Sequence, residues 1–154
     1  MMKSKVKIYV LSILIPVLLG AAVGLLTRNP EGFETLTKPP LSPPAWLFPV
    51  AWTILYTLMG VSYGRLKEKR LIDGAVNSVY YAQLAVNLLW PIAFFLLQWR
   101  LFAFIWLILL IVLVIAMITA FYKRDKPAGL LQVPYLIWLF FAGYLNLSIY
   151  LLNR

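Results

Sequence analysis

Residues 101 to 122 read LFAFIWLILLIVLVIAMITAFY, without one charged side chain. As a helix this run is roughly 30 Å long, the thickness of a bilayer's hydrocarbon core, and it has no polar face to turn toward water. Four more apolar stretches can be cut out at charged residues, at about 8–27, 45–64, 76–98 and 128–152. The chain is 63% hydrophobic and 12% charged, too few polar residues to cover a water-soluble globule. The runs are continuously apolar and lack the alternation of barrel strands, so helices must satisfy their backbone groups inside lipid. The expected fold is all-α: one polytopic membrane domain over residues 1–154, a bundle of five transmembrane helices. The first stretch is longer than a signal-peptide core and no small-x-small site follows it, so it is read as a span.

Charge gives the orientation. Of the 14 Lys and Arg residues, ten lie on the side of the N-terminus and the second and fourth connections: Lys3, Lys5, Lys7, Arg65, Lys67, Lys69, Arg70, Lys123, Arg124 and Lys126. The other four, Arg28, Lys38, Arg100 and Arg154, lie on the opposite side. The positive-inside rule then puts the N-terminus in the cytoplasm and, after five spans, the C-terminus outside. The net charge of +9 is thus a topology signal with attraction to membrane lipid as a by-product, and nucleic acid is not an expected partner.

There is no His and no Cys, which removes histidine bases, thiolate nucleophiles and the usual zinc and haem ligands, and no metal site is expected. The five acidic residues, Glu31, Glu34, Glu68, Asp73 and Asp125, and all the Lys and Arg are expected in loops. With no ionisable group at mid-membrane depth, ion-coupled pumping is disfavoured. Catalytic triads, phosphate-cradling loops and paired carboxylates are absent.

Neutral polar residues do occur inside the spans. In the third, Gln83, Asn87, Trp90 and Phe94 fall on one helical face; in the fifth, Tyr135, Trp138, Ala142 and Asn146 do so, with Ala142 a single small position. In the second, Phe48, Trp52, Tyr56 and Tyr63 form a third face. Three aromatic faces around amides suit a pocket for a large, flat, apolar ligand, and they also suit helix packing with an interfacial aromatic belt. Residues 28–44, RNPEGFETLTKPPLSPP, carry five prolines and are expected to form an ordered, mostly non-helical loop lying over something. Two GxxxG pairs, Gly20 with Gly24 and Gly60 with Gly64, fit close packing within the chain better than dimerisation. Leu147, Tyr150 and Arg154 fit a loose sterol-contact pattern.

The stretches LTKPPLSPPAWLFPVAWTILYTLMG, YYAQLAVNLLWPIAFF and VPYLIWLFFAGYLN closely resemble the tryptophan-rich sensory protein and translocator protein family, TspO/MBR, also described as peripheral-type benzodiazepine receptors. The resemblance covers nearly the whole chain. It implies a five-helix bundle, often a homodimer, that takes porphyrins such as protoporphyrin IX, and in some members cholesterol or synthetic benzodiazepine-type ligands, in a cavity closed by the first long loop. It also implies pocket roles for Trp52 and Trp138, polar positions at Gln83 and Asn87, a small position at Ala142, and Pro43 and Pro44 leading the lid into the second span. Many members carry Trp-Tyr in the lid, where this chain has Gly32 and Phe33.

Some relatives degrade porphyrin in light, which would make Trp52 and Trp138 the catalytic residues here. Three functions are therefore weighed: a porphyrin-binding membrane receptor involved in tetrapyrrole handling or stress regulation; a light- and oxygen-dependent porphyrin-degrading enzyme; and a tetrapyrrole or lipid transporter. No cofactor is expected to be built in, the porphyrin being a ligand. The expected location is a bacterial cell membrane.

Overall fold

The computed structural model describes residues 2–28 and 32–154, which excludes Glu31. Helix α1 covers Met2–Leu26, α2 Leu47–Glu68, α3 Gly74–Pro91, α4 Arg100–Arg124, α5 Lys126–Leu130 and α6 Val133–Leu152, and the described residues contain no strand. Five segments are long and apolar enough to cross a membrane, the third running on through a π-helical turn at Ile92–Leu96 and the fifth comprising α5 and α6. The protein is an integral membrane protein of all-α class.

The helices overrun the apolar stretches at the end rich in Lys and Arg, here termed the basic end. α1 starts at Met2 and α2 ends at Glu68, so Lys3, Lys5, Lys7, Arg65, Lys67 and Glu68 are helical and not in loops as expected. The reason is cross-helix pairing: Lys5 lies 3.2 Å from Glu68, and the Tyr9 hydroxyl donates to the same carboxylate at 2.6 Å. Arg100, Lys123 and Arg124 are likewise helical, at the two ends of α4. Beyond α2 the chain turns off at Arg70, whose φ of +58° is left-handed and lets the Leu71 amide donate to the Leu66 carbonyl.

Further ion pairs close the basic end. Asp125 lies between α4 and α5, accepts the α5 Ala128 amide, and takes Arg65 Nε and Lys69 Nζ at 2.8 Å each. The Arg65 hydrogen bond, helped by Lys69, holds its carboxyl down to about 2. Asp73 caps α3 through the Val76 amide and pairs with Arg124, and these contacts hold its carboxyl below the usual range.

Prolines shape the other interruptions. Pro91 has no amide to give the helix, and the chain widens directly afterwards into the π turn. Pro127 and Pro134 open α5 and α6, and the last span breaks between them at residues 131–132. Gly129 makes this break possible against α4: a Cβ there would meet Tyr122 Cβ at 2.6 Å.

The GxxxG glycines are used within the chain. A Cβ on Gly60 would run into the α1 backbone at Ile13 and Ser12, and one on Gly64 or Gly20 into the rings of Tyr9 or Tyr56; Gly24 alone is open. α1 thus packs closely on α2 and leaves much of its surface exposed, while the main core runs through α2, α3, α4 and α6. Within that core α2 is set apart. Its backbone lies close to α1 and α5, whereas close backbone approach to α3 and α6 is sparse. Large side chains cross the space between.

Candidate functional site

The space beside α2 is filled by rings. Trp52 lies edge-on to Trp138 at 6.4 Å and to Tyr135 at 6.2 Å, and stacks on Tyr56 at 5.5 Å. Phe48 meets Trp138 edge-on at 6.0 Å. These are favourable quadrupole geometries. They arise because Phe48, Trp52 and Tyr56 repeat every four residues along α2 and point at the Tyr135–Trp138 face of α6. The indole nitrogen of Trp138 is sealed from solvent and has no hydrogen-bond partner.

Below the indoles runs a buried chain of polar contacts. The Tyr56 hydroxyl donates to Asn87 Oδ1, Asn87 Nδ2 donates to the Tyr135 hydroxyl at 2.7 Å, and that hydroxyl donates to Gln83 Oε1 at 2.8 Å. Gln83 Nε2 completes the series on Met59 Sδ at 3.3 Å. In hydrocarbon an amide needs such partners, and here α2, α3 and α6 supply them to one another. Gln83 and Asn87 are therefore interior, and each phenol and amide has a fixed role as donor or acceptor.

A second group lies toward the lid. Trp90 Nε1 donates to Asn146 Oδ1 at 3.0 Å, and Asn146 Nδ2 donates to the Arg100 carbonyl at 2.8 Å. Trp90 stacks on Phe94 at 5.2 Å. The lid's Phe33 lies edge-on to Phe94 and Phe95, at 6.2 and 5.2 Å, with Lys38 Nζ 4.9 Å from its ring centre. The lid is also tied by hydrogen bonds. Tyr144 donates to the Pro40 carbonyl, and the Asn153 amide takes the Thr37 N–H and gives to the Thr37 carbonyl, all at 2.8 Å. Pro44 turns the chain into α2 by accepting the Leu47 amide at 3.0 Å, with Pro43 half-buried before it.

The structure thus brings Phe48, Trp52, Tyr56, Gln83, Asn87, Tyr135 and Trp138 into one connected cluster. It puts Phe33, Trp90 and Asn146 in the neighbouring one, with buried Ala142 on α6 one turn from both Trp138 and Asn146. Tyr150 and Arg154, without Leu147, line a cleft of about 200 Å³ together with Gln98, Arg100, Ile149 and Asn153. Among the described residues no group of three or more Asp or Glu side chains comes together. Sequence reasoning missed Met59, Phe95, Tyr144 and Asn153. For Asn153 a signal existed, an amide directly after an apolar span; for Phe95 none did, because the π turn sets its direction.

Fold and site together define a five-span helical membrane protein with an aromatic and amide-lined interior under a proline-rich lid. The TspO/MBR family model matches residues 12–152, and the chain belongs to that family. It is 40% identical over 147 residues to the tryptophan-rich protein TspO of Archaeoglobus fulgidus, covering 94% of this chain and 95% of that one. It is 38% identical to the protein of the same name from Chlorobaculum tepidum, over 87% and 88% of the two chains. The translocator protein of Bos taurus is 35% identical, over 83% and 80%.

Proposed function

We propose that this protein is a membrane receptor for a flat, largely apolar ligand of the porphyrin class, bound between α2, α3 and α6. The observation that carries this reading is the sparse backbone contact of α2 with α3 and α6, its space crossed only by side chains. The rings of Phe48, Trp52 and Trp138 hold that space in mutual edge contact. Parting those rings opens a slot walled by aromatic faces, with the partnerless Trp138 N–H ready for an acceptor on the ligand. The chain of amides and phenols forms the slot's floor and Phe33 its lid. The ten-to-four distribution of the 14 basic residues supports a cytoplasmic N-terminus and a lid facing outside; the bacterial cell membrane is the location proposed with it. The family resemblance supports a homodimer and, for the same slot, a sterol or a benzodiazepine-type compound as a further ligand.

A second reading has one supporting observation: two oxidisable indoles, Trp52 and Trp138, stand 6.4 Å apart where the ligand would sit. In this reading bound porphyrin, light and oxygen supply the oxidation, and the indoles direct it. Titration of the purified protein with protoporphyrin IX, followed by absorbance and tryptophan fluorescence, tests binding. Saturable quenching that weakens in Trp138→Ala is expected, and quenching no greater than in detergent alone would refute the receptor reading. Illumination at matched occupancy separates the two readings, since a wild-type product lost in both Trp52→Phe and Trp138→Phe marks degradation. An engineered cysteine at position 67 should label only from the cytoplasm and one at position 35 only from outside.

A further inference from the structure

The cleft at the lid end of α6 is not part of the aromatic slot. It is lined by Gln98, Arg100, Ile149, Tyr150, Asn153 and Arg154 and encloses about 200 Å³. That is below the roughly 300 Å³ at which pockets for drug-sized molecules begin, so it suits a small head group. Two of the lid end's four cations face this one space, and none of the ion pairs among the described residues involves either. Arg100 is the first residue of α4, its guanidinium stands over the Phe94 ring at 5.3 Å, and its Nε is sealed from solvent without a partner.

We propose that this cleft is an anion site for a phosphate or carboxylate group. Arg100 supplies a fork of donors held in place by Phe94 beneath it, and Arg154, which also lines the cleft, adds the second charge. Guanidinium groups bind such oxyanions through paired, charge-assisted hydrogen bonds. The start of α4 brings the positive end of its helix dipole to the cleft and the end of α6 the negative end of its own, so the two arginines carry the attraction. Of the sterol-pattern residues, Tyr150 and Arg154 thus belong to a polar cleft. The site also reaches the lid: Asn153 lines the cleft and makes both hydrogen bonds to Thr37. An anion there holds the end of α6 and, through Asn153, the lid segment over the slot.

The anion can come from a phospholipid head group or from a soluble molecule, and the test separates the two. The full chain, purified in neutral detergent, is titrated with inorganic phosphate, with a short-chain phosphatidylglycerol and with the matching phosphatidylcholine. Bound adducts are counted by native mass spectrometry, and lid cleavage by a protease is timed alongside. Wild type should bind the anionic probe more tightly than the zwitterionic one and show slower lid cleavage when loaded. Arg100→Gln should weaken binding about tenfold or more, the loss of one charge-assisted contact. Arg154→Gln should weaken it less, and Lys67→Gln, at the basic end, not at all. Binding of phosphate by itself identifies a soluble anion, and binding of phosphatidylglycerol alone a lipid head group. Equal binding of both lipids without phosphate binding, or anion binding untouched in Arg154→Gln and Arg100→Gln, overturns the proposal. If Arg100→Gln does not fold, Arg154→Glu replaces it and must abolish the preference for the anionic probe.

Discussion

Replacing Asn87 by Leu tests whether the buried polar chain holds α2 to α3. Leucine is close in size but offers no acceptor, so the Tyr56 hydroxyl, buried with its ring, is left unpaired. Tyr135 is less affected, because it still donates to Gln83 at 2.8 Å. A buried donor without an acceptor costs about 1 to 3 kcal/mol in soluble proteins, and interhelical hydrogen bonds in membranes average about 0.6 kcal/mol. A loss of about 1 to 2 kcal/mol follows for Asn87→Leu. Tyr56→Phe alone should cost less, since Asn87 keeps its bond to Tyr135. With both partners removed nothing is left unpaired, and the double variant should be less damaged than the sum of the two by about 1 kcal/mol. The assay is unfolding of all four proteins in one detergent. Additivity within about 0.3 kcal/mol would show that the two side chains do not interact, and the slot floor described above would be wrong.

Three further outcomes are expected. Asp125 is held at about 2 against an ordinary 3.8, mainly by Arg65 and then by Lys69, which corresponds to about 2 kcal/mol at neutral pH. Because the folded-state value is the lower one, this stability is full above about pH 4 and is lost as pH falls toward 2; Asp125→Asn should melt lower at pH 7 and lack that acid limb. An unchanged melting profile would refute the pairing. Gly60→Ala should cost about 1 to 3 kcal/mol by pushing α1 off α2, while Gly24→Ala is harmless, as thermal melts would show. Ala142→Thr adds bulk at a buried position between Trp138 and Asn146, and porphyrin affinity should fall about tenfold by fluorescence titration. An unaltered dissociation constant would place Ala142 off the ligand's path.

The sequence determined what each span has to do by itself. A run such as residues 101–122 must be helical because lipid offers its backbone no other partner, and four-residue spacing along a helix already puts Phe48, Trp52 and Tyr56 on one side. The glycine pairs marked surfaces of close approach without saying what approaches, which Ile13, Tyr9 and Tyr56 answer only in three dimensions. Helix ends were misjudged where ion pairs extend them, because Lys5 and Glu68 are 63 residues apart in sequence and their pairing depends on how α1 lies against α2. The lid's partners were hidden for a related reason: the π turn after Pro91 changes the direction of Phe94 and Phe95, and Asn153 reaches Thr37 across 116 positions. The wide setting of α2 beside α3 and α6 also belongs to the tertiary structure, since separation between helices follows from which side chains meet, and a spacing pattern specifies one helix's face without its neighbour's rotation or depth.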